Sequence, residues 1–199
     1  IYQNNFDSSP GSEWSATELD ITPVGARSFL GQFGNETASL SLDNLDAHNT
    51  ITVSFDLFVI QSWDGNQVNG GGFDIFSLNV ANGPSLLDTT FSNTPTFNHT
   101  QSYPDNTGGD FAAYTGAAEI NTLGYSFYGD SVYNLSFTFT HVADAIQFDF
   151  SASGLQGMSD ESWGIDNVVV ESTIVNDIPE PSTLFLFTFP LVALARKLK

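Results

Sequence analysis

Carboxylates dominate the side chains that could do chemistry in this 199-residue chain: 23 Asp and Glu face four Lys and Arg and three His, with no cysteine. Such a set favours oxygen chemistry. Hard cations such as Ca²⁺ take carboxylate and carbonyl oxygens, whereas disulfides and thiolate metal centres are excluded. Close carboxylates repel unless a cation separates them. The same acidity also serves solubility alone, or life in a salty habitat.

Two stretches place reactive groups beside aromatic or apolar ones. In Trp163-Gly-Ile-Asp-Asn-Val168 a carboxylate, Asp166, interrupts an apolar strand. Burying it is costly unless it is paired or metal-bound; otherwise it stands on the solvent face and caps a turn. In Ser62-Trp-Asp-Gly-Asn66 a Trp follows a strand. The Trp63 ring could stack on a sugar while Asp64 and Asn66 bond its hydroxyls. The same residues could equally form a turn in which Trp63 covers the edge of the fold. Asp64 could instead join Asp160 and Glu161 in a second oxygen-rich metal site.

No catalytic residue is assigned. His48, His99 and His141 are scattered, and the chain has no Gly-x-Ser-x-Gly elbow, His-Glu-x-x-His or phosphate loop. Glycosidases use paired carboxylates, but among 23 acids a pair in sequence says nothing. Asn35, Asn98 and Asn134 begin Asn-x-Ser/Thr triplets, a pattern frequent by chance in such a chain.

The elements that must position these residues read as short strands between Gly, Asn, Asp and Ser turns. Ile51 to Ile60 is the clearest: Ile51, Val53, Phe55, Leu57 and Val59 alternate with Thr52, Ser54 and Asp56. Phe58 and Ile60 break the polar face, so part of that side is also covered. Further strands are expected at Ala38–Leu42, Phe73–Val80, Ser131–Thr140, Ala145–Ser151 and Ile165–Glu171. The stretch 82–124 reads as long functional loops with a few short strands. No stretch before residue 180 has a helical period. An all-β, antiparallel, jelly-roll-like sandwich over residues 1–175 follows.

The last residues change character. Residues 176–181 form a linker around Pro179-Glu180-Pro181. Residues 182–199 then carry an apolar run, Leu184 to Ala195, and a basic end with Arg196, Lys197 and Lys199. That run reads as a short hydrophobic helix, below the ~20 residues that span a bilayer. Its basic end would stay on the cytoplasmic side. Before Pro181 the only cation is Arg27, so the body repels nucleic acid and anionic lipid. The chain starts at Ile1 without a basic start and apolar run, as a processed form or a fragment would.

Pro-Glu-Pro, an apolar run and a basic cluster in that order resemble the PEP-CTERM sorting signal of Gram-negative bacteria. The resemblance implies an exosortase-type membrane protease as partner and cleavage near the motif. It also implies transient anchoring in the inner membrane and delivery to the cell envelope or an extracellular matrix. Ser28-Phe-Leu-Gly-Gln-Phe-Gly-Asn35, Val53-Ser-Phe-Asp-Leu-Phe58, Ser62-Trp-Asp-Gly-Asn66 and Glu161-Ser-Trp-Gly-Ile-Asp-Asn-Val168 resemble a domain common in such proteins. That domain is similar to jelly-roll carbohydrate-binding modules. By that resemblance a structural Ca²⁺ sits where first and last strands meet, on Asp166 and Asp7. The function expected is non-catalytic: structural, adhesive or binding an envelope or matrix polysaccharide. The alternative is an envelope polysaccharide hydrolase.

Overall fold

The computed structural model describes residues 1–67, 72–125 and 128–174. Its strands are β1 (Tyr2–Asn4), β2 (Leu19–Ile21), β3 (Ser28–Phe33), β4 (Thr37–Asp43), β5 (Thr50–Gln61), β6 (Ile75–Val80) and β7 (Ser85–Thr90). They continue with β8 (Thr100–Gln101), β9 (Phe111–Ala112), β10 (Glu119–Ile120), β11 (Asp130–Thr140), β12 (Ala145–Ser153) and β13 (Glu161–Thr173). Among the described residues the only helical turn is a 3₁₀ turn at Pro95–Phe97. No helix among them is long and apolar enough to cross a membrane. The linker at 176–181 and the hydrophobic segment and basic tail at 182–199, with the helix expected there, lie outside the described residues.

Two antiparallel sheets make the sandwich. One runs β10-β11-β5-β13-β3-β2, with β1 also on β13; the other runs β4-β12-β6-β7. Alternation decides the inner faces. Ile51, Val53, Phe55, Leu57 and Val59 of β5 pack with Phe76 and Leu78 of β6 and Phe148 and Phe150 of β12 in one core. Burying each such side chain is worth roughly 1.5–3 kcal/mol before entropy is counted. Phe58 and Ile60, on the opposite face of β5, pack with Phe29, Leu123 and Val132 in a smaller cluster. The break in the polar face of β5 therefore marks a covered patch.

Two local features shape β13. Gly31 (φ +146°) passes Gly164 so closely that a Cβ on Gly164 would run into the Phe29 ring. Between Asp166 and Val169 the register with β5 shifts, and Asn167 takes a positive φ of 51°. The extra residue lets Ile165 and Val168 both face the core while Asp166 and Asn167 stand outside it. β1 pairs with β13 through Asn4↔Val168 and Tyr2↔Val170, so first and last strands do meet.

Candidate functional site

Three carboxylates gather at one corner of the sandwich. Asp64 follows the end of β5, Glu161 opens β13 opposite Gln61, and Asp74 precedes β6 in the other sheet. One oxygen from each lies within 4.8 Å of the others, and no other group of this kind forms among the described residues. Gly65, at φ +68°, makes the turn that holds Asp64, and a Cβ there would strike the Thr100 carbonyl and the Ser92 side chain. That turn points the N–H groups of Asp64 and Gly65 at Asp74 Oδ2, the latter at 3.2 Å. Glu161 Oε2 accepts the Gln156 N–H at 2.7 Å.

Asp74 and Glu161 are fully buried. Burial, then repulsion from Glu161, pushes the Asp74 carboxyl up to about 8, although the two backbone N–H groups pull the other way. Burial, with repulsion from Asp64 and Asp160, pushes Glu161 up to about 7 against the Gln156 N–H. Both shifts say that the ionised pair lacks compensation.

Asp64 also faces outward, into a groove of about 350 Å³ lined by Ser62, Asp64, Phe97, His99, Tyr128 and Asp160, among others. Phe97 and Tyr128 are large exposed rings, 54% and 42% accessible. Their centroids lie 5.7 Å apart, and Phe97 sits 5.5 Å from His99. His99 Nδ1 is 3.0 Å from Asp64 Oδ1 and 2.8 Å from Thr94 Oγ1. The Ser62 hydroxyl donates to Asp160 Oδ1 at 2.6 Å. Aromatic faces and hydroxyl-bonding groups thus line one depression at the end of β5.

Comparisons with known proteins concern the strand arrangement. No family model and no curated protein matches the chain. Among solved structures, it is similar to a carbohydrate-binding module described as specific for non-crystalline cellulose (TM-score 0.44, 16% identity, 85% of this chain and 92% of that one). It is similar also to the CBM22-1 xylan-binding domain of Paenibacillus barcinonensis Xyn10C (TM-score 0.42, 12% identity, 88% and 95%). A third is the CBM6cm-2 module of Cellvibrio mixtus lichenase 5A, in complex with cellotriose (TM-score 0.40, 14% identity, 87% and 98%). At such scores these stand as likenesses, and the chemistry of the site is read from this chain's own side chains.

The residues singled out in the sequence fall into three places. Asp64 reaches both the acidic corner and the groove, but its metal-spaced partners are Asp74 and Glu161, with Asp160 bonded to Ser62 instead. Trp63 is fully buried, its Nε1 donating to the Ser162 carbonyl at 2.9 Å, so its ring has no face for a sugar. Asn66 also looks inward. Its Nδ2 donates to the Gly109 carbonyl at 3.0 Å, and its Oδ1 accepts from the hydroxyls of Thr90 and Ser102.

Asp166 is only 5% accessible, on the outer face of β13. Its Oδ1 accepts the Asn167 N–H at 2.7 Å, and its Oδ2 lies 3.9 Å from Arg27. Arg27 pairs as well with Glu119 at 3.0 Å and Asp56 at 3.5 Å. Burial pushes the Asp166 carboxyl up to about 6; Asn167 and Arg27 lower it, and Asp56 and Asp7 raise it. Asp7 is thus near enough to repel Asp166, while its own carboxylate accepts from Asn5 at 2.6 Å. Pro179, Glu180, Pro181, Arg196, Lys197 and Lys199 lie outside the described residues.

Asp74, Phe97, His99 and Tyr128 were not singled out by motif. The available signal was position: Phe97 and His99 fall inside the long irregular stretch read as functional loops, Tyr128 lies just before the strand expected from Ser131, and Asp74 falls inside the strand expected at Phe73–Val80.

Proposed function

We propose that the chain is a non-catalytic, exported glycan-binding module and that the sugar sits in the Phe97–Tyr128 groove. The observation that carries this is the pair of exposed rings flanking a groove whose other walls are hydroxyl-bonding side chains. A sugar ring offers an apolar face to an aromatic ring and hydroxyls around its rim, and this lining complements both. A groove of about 350 Å³ falls within the range of small-ligand sites. A larger one, about 660 Å³ at the other end of β11, is lined by the half-buried rings of Phe139 and His141 rather than by exposed ones.

The non-catalytic reading is supported by the position of the perturbed acids. Asp74 and Glu161 carry raised values suited to proton transfer, yet neither has surface with which to reach a glycosidic oxygen. Export rests on the order of Pro179-Glu180-Pro181, apolar run and basic end in the sequence. An exosortase-type protease would cut near that motif and leave the body in the envelope or matrix.

A glycan array set beside a polysaccharide hydrolysis assay tests the reading. Binding without turnover is expected. Sustained release of reducing ends would establish the hydrolase alternative instead.

A further inference from the structure

The acidic corner has a property that its carboxylates alone do not explain. Among the described residues, three buried side-chain oxygens lack a hydrogen-bond donor: Gln61 Oε1, Asp74 Oδ1 and Glu161 Oε1. Two of them, Asp74 Oδ1 and Glu161 Oε1, belong to this corner, and Gln61 is the register partner of Glu161 in the β5–β13 ladder. Folded proteins pair nearly every such atom, with protein, water or an ion. The opposite oxygens, Asp74 Oδ2 and Glu161 Oε2, are held by backbone N–H groups, and in front the two carboxyls meet only each other, a contact that needs a shared proton or a cation between them.

We propose that Asp64, Asp74 and Glu161 hold a calcium ion that ties the two sheets together at this end of the sandwich. The donor set is all oxygen and dense in charge, which suits a hard cation. Calcium fits better than magnesium, which demands near-ideal octahedral geometry and keeps several waters. Asp64 follows β5 and Glu161 opens β13, adjacent strands of one sheet, and Asp74 comes from the entry to β6 in the other. An ion between them replaces mutual repulsion with attraction across the sandwich. The site shares Asp64 with the groove, but no sugar enters its test.

The test is thermal unfolding of metal-stripped protein at mildly alkaline pH, with Tb³⁺ luminescence as a second readout. Calcium at about a hundredfold excess over Kd should raise the melting temperature by several degrees beyond NaCl of matched ionic strength, and EDTA should reverse it. Terbium should luminesce when tryptophan is excited, because Trp63 adjoins Asp64 in the chain. Asp74→Asn and Glu161→Gln should each lose both responses. Each also removes a buried, uncompensated charge, so the stripped variants should melt no lower than the stripped parent, which separates lost binding from lost folding. Asp166→Ala should keep both responses. The proposal is overturned if the parent gains nothing beyond NaCl, if Asp74→Asn and Glu161→Gln still respond, or if Asp166→Ala alone abolishes the response.

Discussion

Replacing Asp166 by Asn should stabilise the protein at neutral pH. The carboxyl is 5% accessible and burial raises its value from 3.8 to about 6. Because the folded value lies above the unfolded one, the penalty is absent below about pH 4 and complete once pH has risen past about 6. A difference of that size is worth about 3 kcal/mol against the folded state. The carbonyl of the substituted amide would still accept the Asn167 N–H, a bond of 2.7 Å in the parent. The attraction to Arg27 at 3.9 Å, a weak and partly exposed pair, is already contained in that value. The gain at neutral pH is therefore up to about 3 kcal/mol, or roughly 6–12 °C in melting temperature for a domain of this size. Urea unfolding of parent and variant in EDTA, at pH 4 and at neutral pH, measures it. The gap should open on going from acid to neutral. A variant less stable than the parent at neutral pH would refute the reasoning, because the carboxylate would then be held by net attraction.

Two further outcomes follow from other parts of the molecule. Gly65→Ala forces a left-handed Ala and sets its Cβ against the Thr100 carbonyl; a loss of about 2 kcal/mol or more is expected in the same urea assay. In the native host, mass spectrometry of envelope protein should find chains ending near Pro179-Glu180-Pro181, and recovery only of chains that keep Lys199 would contradict processing.

Much of the sandwich was legible because period-two alternation is local. The odd-numbered residues from Ile51 to Val59 do face the core, and Phe58 and Ile60 do mark a covered outer patch. The last strand was expected only from Ile165, whereas β13 begins at Glu161 and carries Gly164 where a Cβ would meet the Phe29 ring. The bulge at Asp166 was equally hidden: a one-residue phase change depends on the neighbouring strand. Trp63 was left open between a sugar platform and a cover for the edge of the fold, although it shares the odd-numbered phase of the β5 core and is fully buried. Asp74 could not be placed with Asp64 and Glu161, because only the pairing of two sheets brings the entry of β6 to the end of β5. Nor does composition tell an exposed loop aromatic such as Phe97 from a buried one such as Phe91.

The most direct measurement of the central claim is calorimetric titration of an array-identified oligosaccharide into the parent and into Phe97→Ala/Tyr128→Ala. Two stacked rings at about 0.5–1.5 kcal/mol each correspond to a loss of affinity from roughly fivefold to over about a hundredfold. Both rings are exposed, so the melting temperature should stay nearly unchanged. An affinity equal to the parent's, in a variant that remains folded, would place the sugar elsewhere and contradict the account.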